Sequence, residues 1–280
     1  MSGQACNALA ELELWMSGNG TDRKRLEDEL AADSRLPGPR ANLELAEKFA
    51  RYFGSGDLAD GLWELLTDWG NISGEMADTG NPREFLPFCA IRAMGEHYGY
   101  ADAERRVVIA DAFKWAMNDS RWRMREAAAM GLQSVGEHDF ALLRDLLEHW
   151  HNGANELEQR AFVAALAHPP LLTAKDNARY ALGLAGEIME GIGARPERKT
   201  ESFRVLSKGL EYSLSVFAAA EPEAGFALLE RFARNPDPRV IRIVKANLGK
   251  SRLTRKYGPQ VQAILAIVDN DHKGNYDSYN

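Results

Sequence analysis

A basic segment near the carboxyl end of the chain holds the residue types best suited to binding a charged ligand. Residues 231–256 contain nine Arg and Lys but one acid, Asp237, which gives this segment a charge of +8. Because the whole chain has a charge of −7, residues 1–230 carry −13 and residues 257–280 carry −2. Basic side chains that neutralise phosphates release counterions, and this release drives the binding of polyanions. The best candidates for phosphate contact are Arg242, Lys245, Lys250, Arg252, Arg255 and Lys256.

A second group of candidates lies between residues 115 and 122. The carboxylate of Asp119 could stabilise a cationic transition state beside a glycosidic bond. Trp122 could stack on a base or a sugar. The sequence favours a structural interpretation of the same residues, in which Asp119 caps the helix that begins near Arg121 and Trp122 packs in the interior. We therefore assign no catalytic residue, and Asp119, Trp115 and Trp122 form an alternative set.

The sequence lacks the motifs that would indicate a metal site, a cofactor site or a membrane span. There is no His-Glu-x-x-His motif and no closely spaced Cys pair, so no metal site is predicted. No Gly-rich loop follows a strand, and no cofactor is predicted. The two cysteines, Cys6 and Cys89, are far apart in the chain, which indicates a reducing cytoplasm. The longest apolar run, residues 161–167, is shorter than the roughly 20 residues of a membrane span, so no membrane contact is expected.

The elements that must position these residues are all predicted to be helices. A polar capping residue is followed five residues later by Arg and then by an apolar run, and this pattern recurs at intervals of roughly forty residues. Such a period is typical of stacked helical hairpins. Capping and periodicity predict helices at 5–16, 22–32, 42–53, 58–69, 81–98, 102–117, 121–135, 140–150, 156–167, 174–192, 201–219, 223–234, 238–248 and 259–268.

The recurring pattern resembles HEAT repeats. Asp237-Pro238 opens a helix that carries Arg242. Asp119 or Ser120 with Arg125, and Asn155 with Arg160, occupy the same places. In that family the turn residue caps the second helix of each pair, and the Arg ties neighbouring repeats together through their turns. The resemblance covers residues 81–268 and is interrupted between 169 and 220. It implies an all-α fold, an α-solenoid of stacked antiparallel hairpins whose concave face is lined by second helices.

Residues 115–132 are similar to one branch of that superfamily, the helical-repeat DNA glycosylases that repair alkylated bases. Those enzymes carry a Trp-x-Arg-Arg segment, to which Trp122, Arg123 and Arg125 correspond, with Met124 separating the two arginines. The resemblance implies that Arg123 contacts DNA.

The glycosylases also carry a Trp and an Asp four residues apart on a concave helix. Trp115 and Asp119 have this spacing, but Asp119 falls at a predicted helix start, and the Asn-Trp-Asp run of the enzymes is missing. If the chain is an enzyme, the resemblance implies a hydrolase that releases alkylated bases with Asp119, Trp115 and Trp122.

These observations predict three segments: a helical cap at 1–80, HEAT-like repeats at 81–268 and a flexible tail at 269–280. The leading functional prediction is a cytoplasmic, non-catalytic binding protein whose concave face and basic end hold an anionic partner, with DNA favoured over other polyanions. The first alternative is the glycosylase-like enzyme. The second is a scaffold that binds proteins, with its basic residues merely solvated. The sequence leaves the oligomeric state open.

Overall fold

The computed structural model describes residues 7–17, 23–56, 58–195 and 200–273 of the 280-residue chain. Within these ranges every regular element is a helix and no strand occurs, which confirms the predicted all-α class. The chain divides between His149 and Trp150 into two compact units, 1–149 and 150–280. This division differs from the predicted boundaries at residues 80 and 268. The predicted tail begins inside the last helix, and residues 274–280 lie outside the described ranges.

The first unit is built around one nearly buried helix. All but two of the thirteen residues of Phe85–His97 are buried, because this helix packs against three other α-helices that precede it and two that follow it. The helices of the unit are α1 (Asn7–Met16), α2 (Arg23–Asp33), α3 (Leu43–Arg51), α4 (Asp60–Gly70), α5 (Phe85–His97), α6 (Ala103–Met117), α7 (Trp122–His138) and α8 (Phe140–His151), the last of which crosses the division.

Helices α5 and α7 approach each other closely through two glycines. A Cβ atom added to Gly95 would lie 2.5 Å from the carbonyl oxygen of Gly131, and one added to Gly131 would lie 2.5 Å from the ring of Phe113. Neither contact is sterically possible. The absence of a side chain at Gly95 therefore sets the distance between α5 and α7, and its absence at Gly131 makes room for Phe113 of α6.

The second unit is organised around its longest α-helix, Glu201–Ala220. This helix packs against the helices on either side of it in the chain and also against Glu156–Leu166, Pro238–Leu248 and Ser251–Thr254. The α-helices of the unit, after the end of α8, are α9 (Glu156–Leu166), α10 (Lys175–Glu190), α11 (Glu201–Ala220), α12 (Pro222–Ala233), α13 (Pro238–Leu248), α14 (Ser251–Thr254) and α15 (Gly258–Lys273).

Side-chain caps define several helix starts, as the sequence predicts. Asp102 accepts a hydrogen bond from the backbone N–H of Arg105, and Asn155 forms a complete capping box with Glu158. Each cap satisfies donors that the first helical turn leaves without an internal partner. Short 3-10 helices occur at Pro82–Glu84, where Asn81 is the cap, and at Pro169–Thr173.

No helix in the described ranges combines the length and the apolar character needed to cross a membrane.

Candidate nucleic-acid interface

Asp119 and Arg121, in the turn before α7, form a buried clamp. Both carboxylate oxygens of Asp119 accept hydrogen bonds from Arg121, at 2.7 Å from the backbone N–H, 3.0 Å from Nε and 2.7 Å from Nη2. The guanidinium also donates to the carbonyls of Ile72 at 2.8 Å and Ala77 at 3.0 Å. Arg121 therefore ties the α6–α7 turn to the loop between α4 and α5. The Asp119 carboxylate is committed to this structural pair, and the catalytic role considered for it gains no support.

A second clamp with the same spacing lies in the turn before α13. The Nη2 atom of Arg239 donates to Asp237 at 2.7 Å and to the carbonyl of Ile192 at 2.9 Å, while Nη1 donates to the carbonyl of Arg195 at 3.2 Å. The pKa of the Asp237 carboxyl lies below its usual value because the Arg239 side chain donates hydrogen bonds to it. In both clamps the Arg reaches carbonyls 44 to 49 residues earlier in the chain. This reach corresponds to one structural repeat.

The arginines that bridge the turns are thus two residues after the Asp, not five as the sequence indicated. Arg125 bonds to its own turn, donating to the carbonyls of Asp119 at 2.7 Å and Ser120 at 3.0 Å. Arg242 contacts side chains of α11 instead of a turn. The reason is geometric: a residue at the helix start lies beside the preceding loop, whereas one five residues after the Asp lies further along the helix.

Arg123 lies in the interior of the first unit, where it pairs with Glu84. Its Nη1 atom is 3.1 Å from Glu84 Oε2, and its Nη2 atom donates to the carbonyl of Gly38 at 2.8 Å. The backbone N–H of Gly80 donates to the same carboxylate at 2.8 Å. Because both charged side chains are buried, Arg123 is unavailable to a phosphate, and we remove it from the predicted DNA-contacting set.

Trp115 and Trp122 lie at the surface, with 41% and 42% of their areas exposed. The guanidinium carbon of Arg121 is 5.7 Å from the ring centre of Trp115, and that of Arg123 is 4.5 Å from the ring centre of Trp122. The prediction that Trp122 packs in the interior was wrong, because its ring lies against a buried arginine and faces solvent on its other side. The structure thus places two accessible aromatic rings near this turn, while the carboxylate of Asp119 is bound to Arg121.

In the second unit, α11 presents a polar stripe. Arg204, Lys208 and Tyr212 are exposed and follow one another at intervals of four residues, which brings them onto one side of the helix. Arg204 pairs with Glu201. Lys208 has no carboxylate partner within the described ranges.

Helix α13 adds two of the predicted basic residues. Arg242 donates from Nε to Glu211 and from Nη2 to the hydroxyl of Ser207, both at 3.0 Å, which joins it to the stripe on α11. Its side chain remains 63% exposed. Lys245 is one turn further along α13 and pairs with Asp269 at 3.5 Å.

The segment that follows α13 supplies the remaining predicted residues. It was expected to be an exposed turn, but it contains the four-residue helix α14. The guanidinium carbon of Arg252 lies 4.5 Å from the ring centre of Tyr212, and the ammonium of Lys256 lies 5.2 Å from that of Tyr257. Lys250 and Arg255 have no carboxylate partner in the part of the chain that the structure describes.

We call this set of residues the basic face. Three of its eight cations pair with Glu201, Glu211 and Asp269. The other five have no carboxylate within 4.0 Å among the described residues. The basic face consists of Arg204, Lys208, Tyr212, Arg242, Lys245, Lys250, Arg252, Arg255 and Lys256.

The sequence did not indicate three members of the basic face: Arg204, Lys208 and Tyr212. Their four-residue spacing within a predicted helix was the available signal, but nothing in it showed that α11 packs against α13 and α14. Conversely, Arg231 and Arg234 contribute to the local excess of charge without joining the face, because they pair with Glu190 and Glu230.

A cleft of about 650 Å³ lies between α10 and α12, but Arg179 and Arg231 at its rim pair with Glu221 and Glu190. Its charges are therefore balanced. Among the described residues, no three His, Cys, Asp or Glu side chains are grouped so that they could hold a metal ion. Burial raises the pKa of the Cys89 thiol and so disfavours its thiolate form.

The sequence matches no model of a known protein family, and it matches no curated protein. The resemblances to HEAT repeats and to the alkylation-repair glycosylases therefore remain predictions.

Proposed function

We propose that this protein is a non-catalytic helical-repeat protein that binds an anionic polymer, with DNA as the favoured ligand, on the basic face. One observation carries the proposal: eight cations are gathered on α11, α13 and the segment around α14, and five of them have no carboxylate within 4.0 Å in the described ranges. Neighbouring like charges repel one another. A bound polyanion would relieve this repulsion.

The extent of the face favours a polymer over a small anion. Arg204, Lys208 and Tyr212 alone span nine residues of α11, a distance of about 12 Å from the first to the last. Arg242 and the residues of α14 extend the charged surface beyond this helix. Arginine can also contact two phosphate oxygens at once, which suits a phosphodiester backbone.

A HEAT-like stacking of hairpins belongs to the same proposal. Within the first unit the second helices α5 and α7 pack side by side, and within the second unit α11 packs against α9 and α13. The two Asp-x-Arg clamps join successive turns. These contacts support an α-solenoid whose second helices present the binding surface. A cytoplasmic location is also proposed, from the composition of only two cysteines.

The proposal is tested by measuring DNA binding by fluorescence anisotropy over a range of salt concentrations. The test variant is Lys208→Glu, Lys250→Glu and Arg255→Glu in one chain, because none of these three cations has a carboxylate partner among the residues that the structure describes. Removal of three phosphate contacts should reduce the slope of log affinity against log salt by about 3 and weaken binding at low salt by about tenfold or more.

The control is Lys24→Glu, Lys48→Glu and Arg51→Glu, which makes the same change in charge on α2 and α3 of the first unit. Each of these three cations has an exposed ion pair with a residue four positions away, and the loss of such a pair costs only about 0.5 kcal/mol. This variant should keep the affinity and the salt slope of the natural chain. If the natural chain does not bind DNA at low salt, or if both triple variants lose binding equally, the proposal is wrong.

A further inference from the structure

Tyr212 is an unusual side chain for its position. Nine large apolar side chains are exposed in the described ranges, and Tyr212 is the only one of them in the second unit. Its side chain is 49% exposed and lies within the basic face. An isolated exposed aromatic residue is ordinary on a protein surface. This one is set apart by its neighbours, Lys208 and Arg252, which are both cations without an ion-pair partner in the described part of the chain.

The contact between Arg252 and Tyr212 holds an aromatic ring in place at the protein surface. The guanidinium carbon lies 4.5 Å from the ring centre, so Arg252 restrains the ring through a cation–π contact. Tyr212 nevertheless remains 49% exposed. A flat, restrained aromatic ring is a surface on which a nucleic-acid base can stack.

The residues on the same stripe of α11 place charges at a suitable distance from this ring. Lys208 is one helical turn before Tyr212, about 6 Å along the axis, and Arg204 is a further turn away. A strand whose phosphates follow Arg204 and Lys208 would bring a base to the ring. In a duplex the bases are already stacked and paired, and a ring on an outer surface cannot reach their faces.

We propose that Tyr212, held by Arg252, stacks on an unpaired base, so that the basic face prefers single-stranded DNA to duplex DNA. This inference rests on the proposed function, since it requires that the basic face binds a phosphodiester backbone. It adds a contact that depends on bases and not on charge.

The test compares three ligands of equal length at low salt: a single strand with bases, the same strand with abasic sites throughout, and a duplex. The natural chain should bind the strand with bases about tenfold more tightly than the abasic strand. The Tyr212→Ala variant should bind both strands equally, and its salt slope should stay unchanged because no cation is removed. Tyr212→Phe, which keeps the ring, should retain the preference.

Tyr100→Ala is the matched control, because Tyr100 is 46% exposed and lies in the first unit. It should retain the preference for bases. If the natural chain binds the two strands equally, or binds the duplex more tightly than the single strand with bases, the stacking inference is wrong while the proposed function stands. If none of the three ligands binds, the proposed function itself is wrong.

Discussion

At the scale of single residues, we expect a large loss of stability when the Asp119–Arg121 clamp is broken. Both side chains are almost fully buried, and Asp119 is the only carboxylate paired with Arg121 within the described ranges. Replacing Asp119 by Ala leaves a buried guanidinium without its counter-charge. Breaking a buried pair in this way costs about 3 to 5 kcal/mol. We expect Asp119→Ala to lower the free energy of unfolding by about that amount, measured by urea denaturation.

Two other aspartates provide a graded comparison. Asp237→Ala removes the partly exposed second clamp and should cost less than Asp119→Ala. Asp102→Ala removes an exposed helix cap and should cost about 1 kcal/mol. A loss for Asp119→Ala no greater than that for Asp102→Ala would show that the clamp does not stabilise the fold.

His97 is a second residue whose environment makes a measurable prediction. The ring is buried, Nδ1 lies 3.3 Å and 3.1 Å from the carbonyls of Phe53 and Ser55, and Nε2 has no partner among the described residues. Burial lowers the pKa of His97 because a protonated ring would be poorly solvated there. The folded protein therefore keeps His97 neutral at pH values where the unfolded chain is already protonated.

The free energy of unfolding should accordingly fall as pH decreases below about 6.5, by up to about 1.4 kcal/mol per pH unit from this group, until His97 protonates in the folded state. Above that pH both states are neutral and the contribution is constant. Asn at position 97 can donate to the same carbonyls but does not titrate. Urea denaturation from neutral to mildly acidic pH should show a steeper loss for the natural chain than for His97→Asn. Parallel pH profiles would contradict the assignment.

At the scale of elements, Asn247 joins α13 to α11. Its amide nitrogen donates to the carbonyls of Leu210 and Ile243, both at 2.8 Å, and its oxygen accepts from the backbone N–H of Ser215 at 2.8 Å. The side chain is fully buried, and its hydrogen bonds require a defined position of each bonded group. Asn247 therefore holds in register the two helices that carry the centre of the basic face.

Asn247→Asp is the informative substitution, because it keeps the shape but replaces the amide donor by an oxygen. The ionised carboxylate would face two carbonyl oxygens in the interior, and we expect a loss of about 3 kcal/mol or more in the free energy of unfolding at neutral pH. Asn247→Leu, which removes these three hydrogen bonds without adding a charge, should cost about 1 to 3 kcal/mol. Equal stability of the two variants in urea titrations would contradict this account.

The elements were largely predictable from local signals, while their side-chain partners were not. The helix Pro238–Leu248 was predicted with its observed bounds, because Asp237 and Pro238 mark its start and an apolar pattern marks its length. Helix α14 was missed because four residues are too few to show a period. Arg123 was assigned to DNA from a local sequence resemblance. Its burial depends on a contact with Glu84, 39 residues away in the chain, and no local pattern reveals that contact.

The proposed interface could be predicted only in part, because a local sequence pattern does not show which distant residues meet. Local charge identified the six basic residues between 242 and 256 as candidates, and their contact with a ligand stays a prediction. The contribution of α11 depends on which helices pack together, as the contacts of Arg242 with Glu211 and of Arg252 with Tyr212 illustrate. Packing of this kind is decided by the whole unit and leaves no signal within one segment.

At the scale of the whole molecule, charge is divided along the chain. Residues 1–230 carry −13, whereas residues 231–256 carry +8. At moderate salt an electrostatic interaction is screened beyond about 10 Å, so an approaching ligand responds to the nearest charges and not to the net charge of −7. The protein should therefore behave as an anion toward one kind of surface and as a cation toward another.

This division predicts retention on two opposite chromatographic resins at about pH 8, where carboxylates are ionised and lysines and arginines remain charged. An anion exchanger should retain the protein through its acidic residues, and immobilised heparin should retain it through the basic face. The Lys208→Glu, Lys250→Glu and Arg255→Glu variant should elute from heparin at lower salt while binding the anion exchanger more tightly. The variant with Lys24, Lys48 and Arg51 replaced by Glu has the same net charge and should elute from heparin with the natural chain. Equal elution of both variants from heparin would mean that total charge, not the basic face, governs the binding of polyanions.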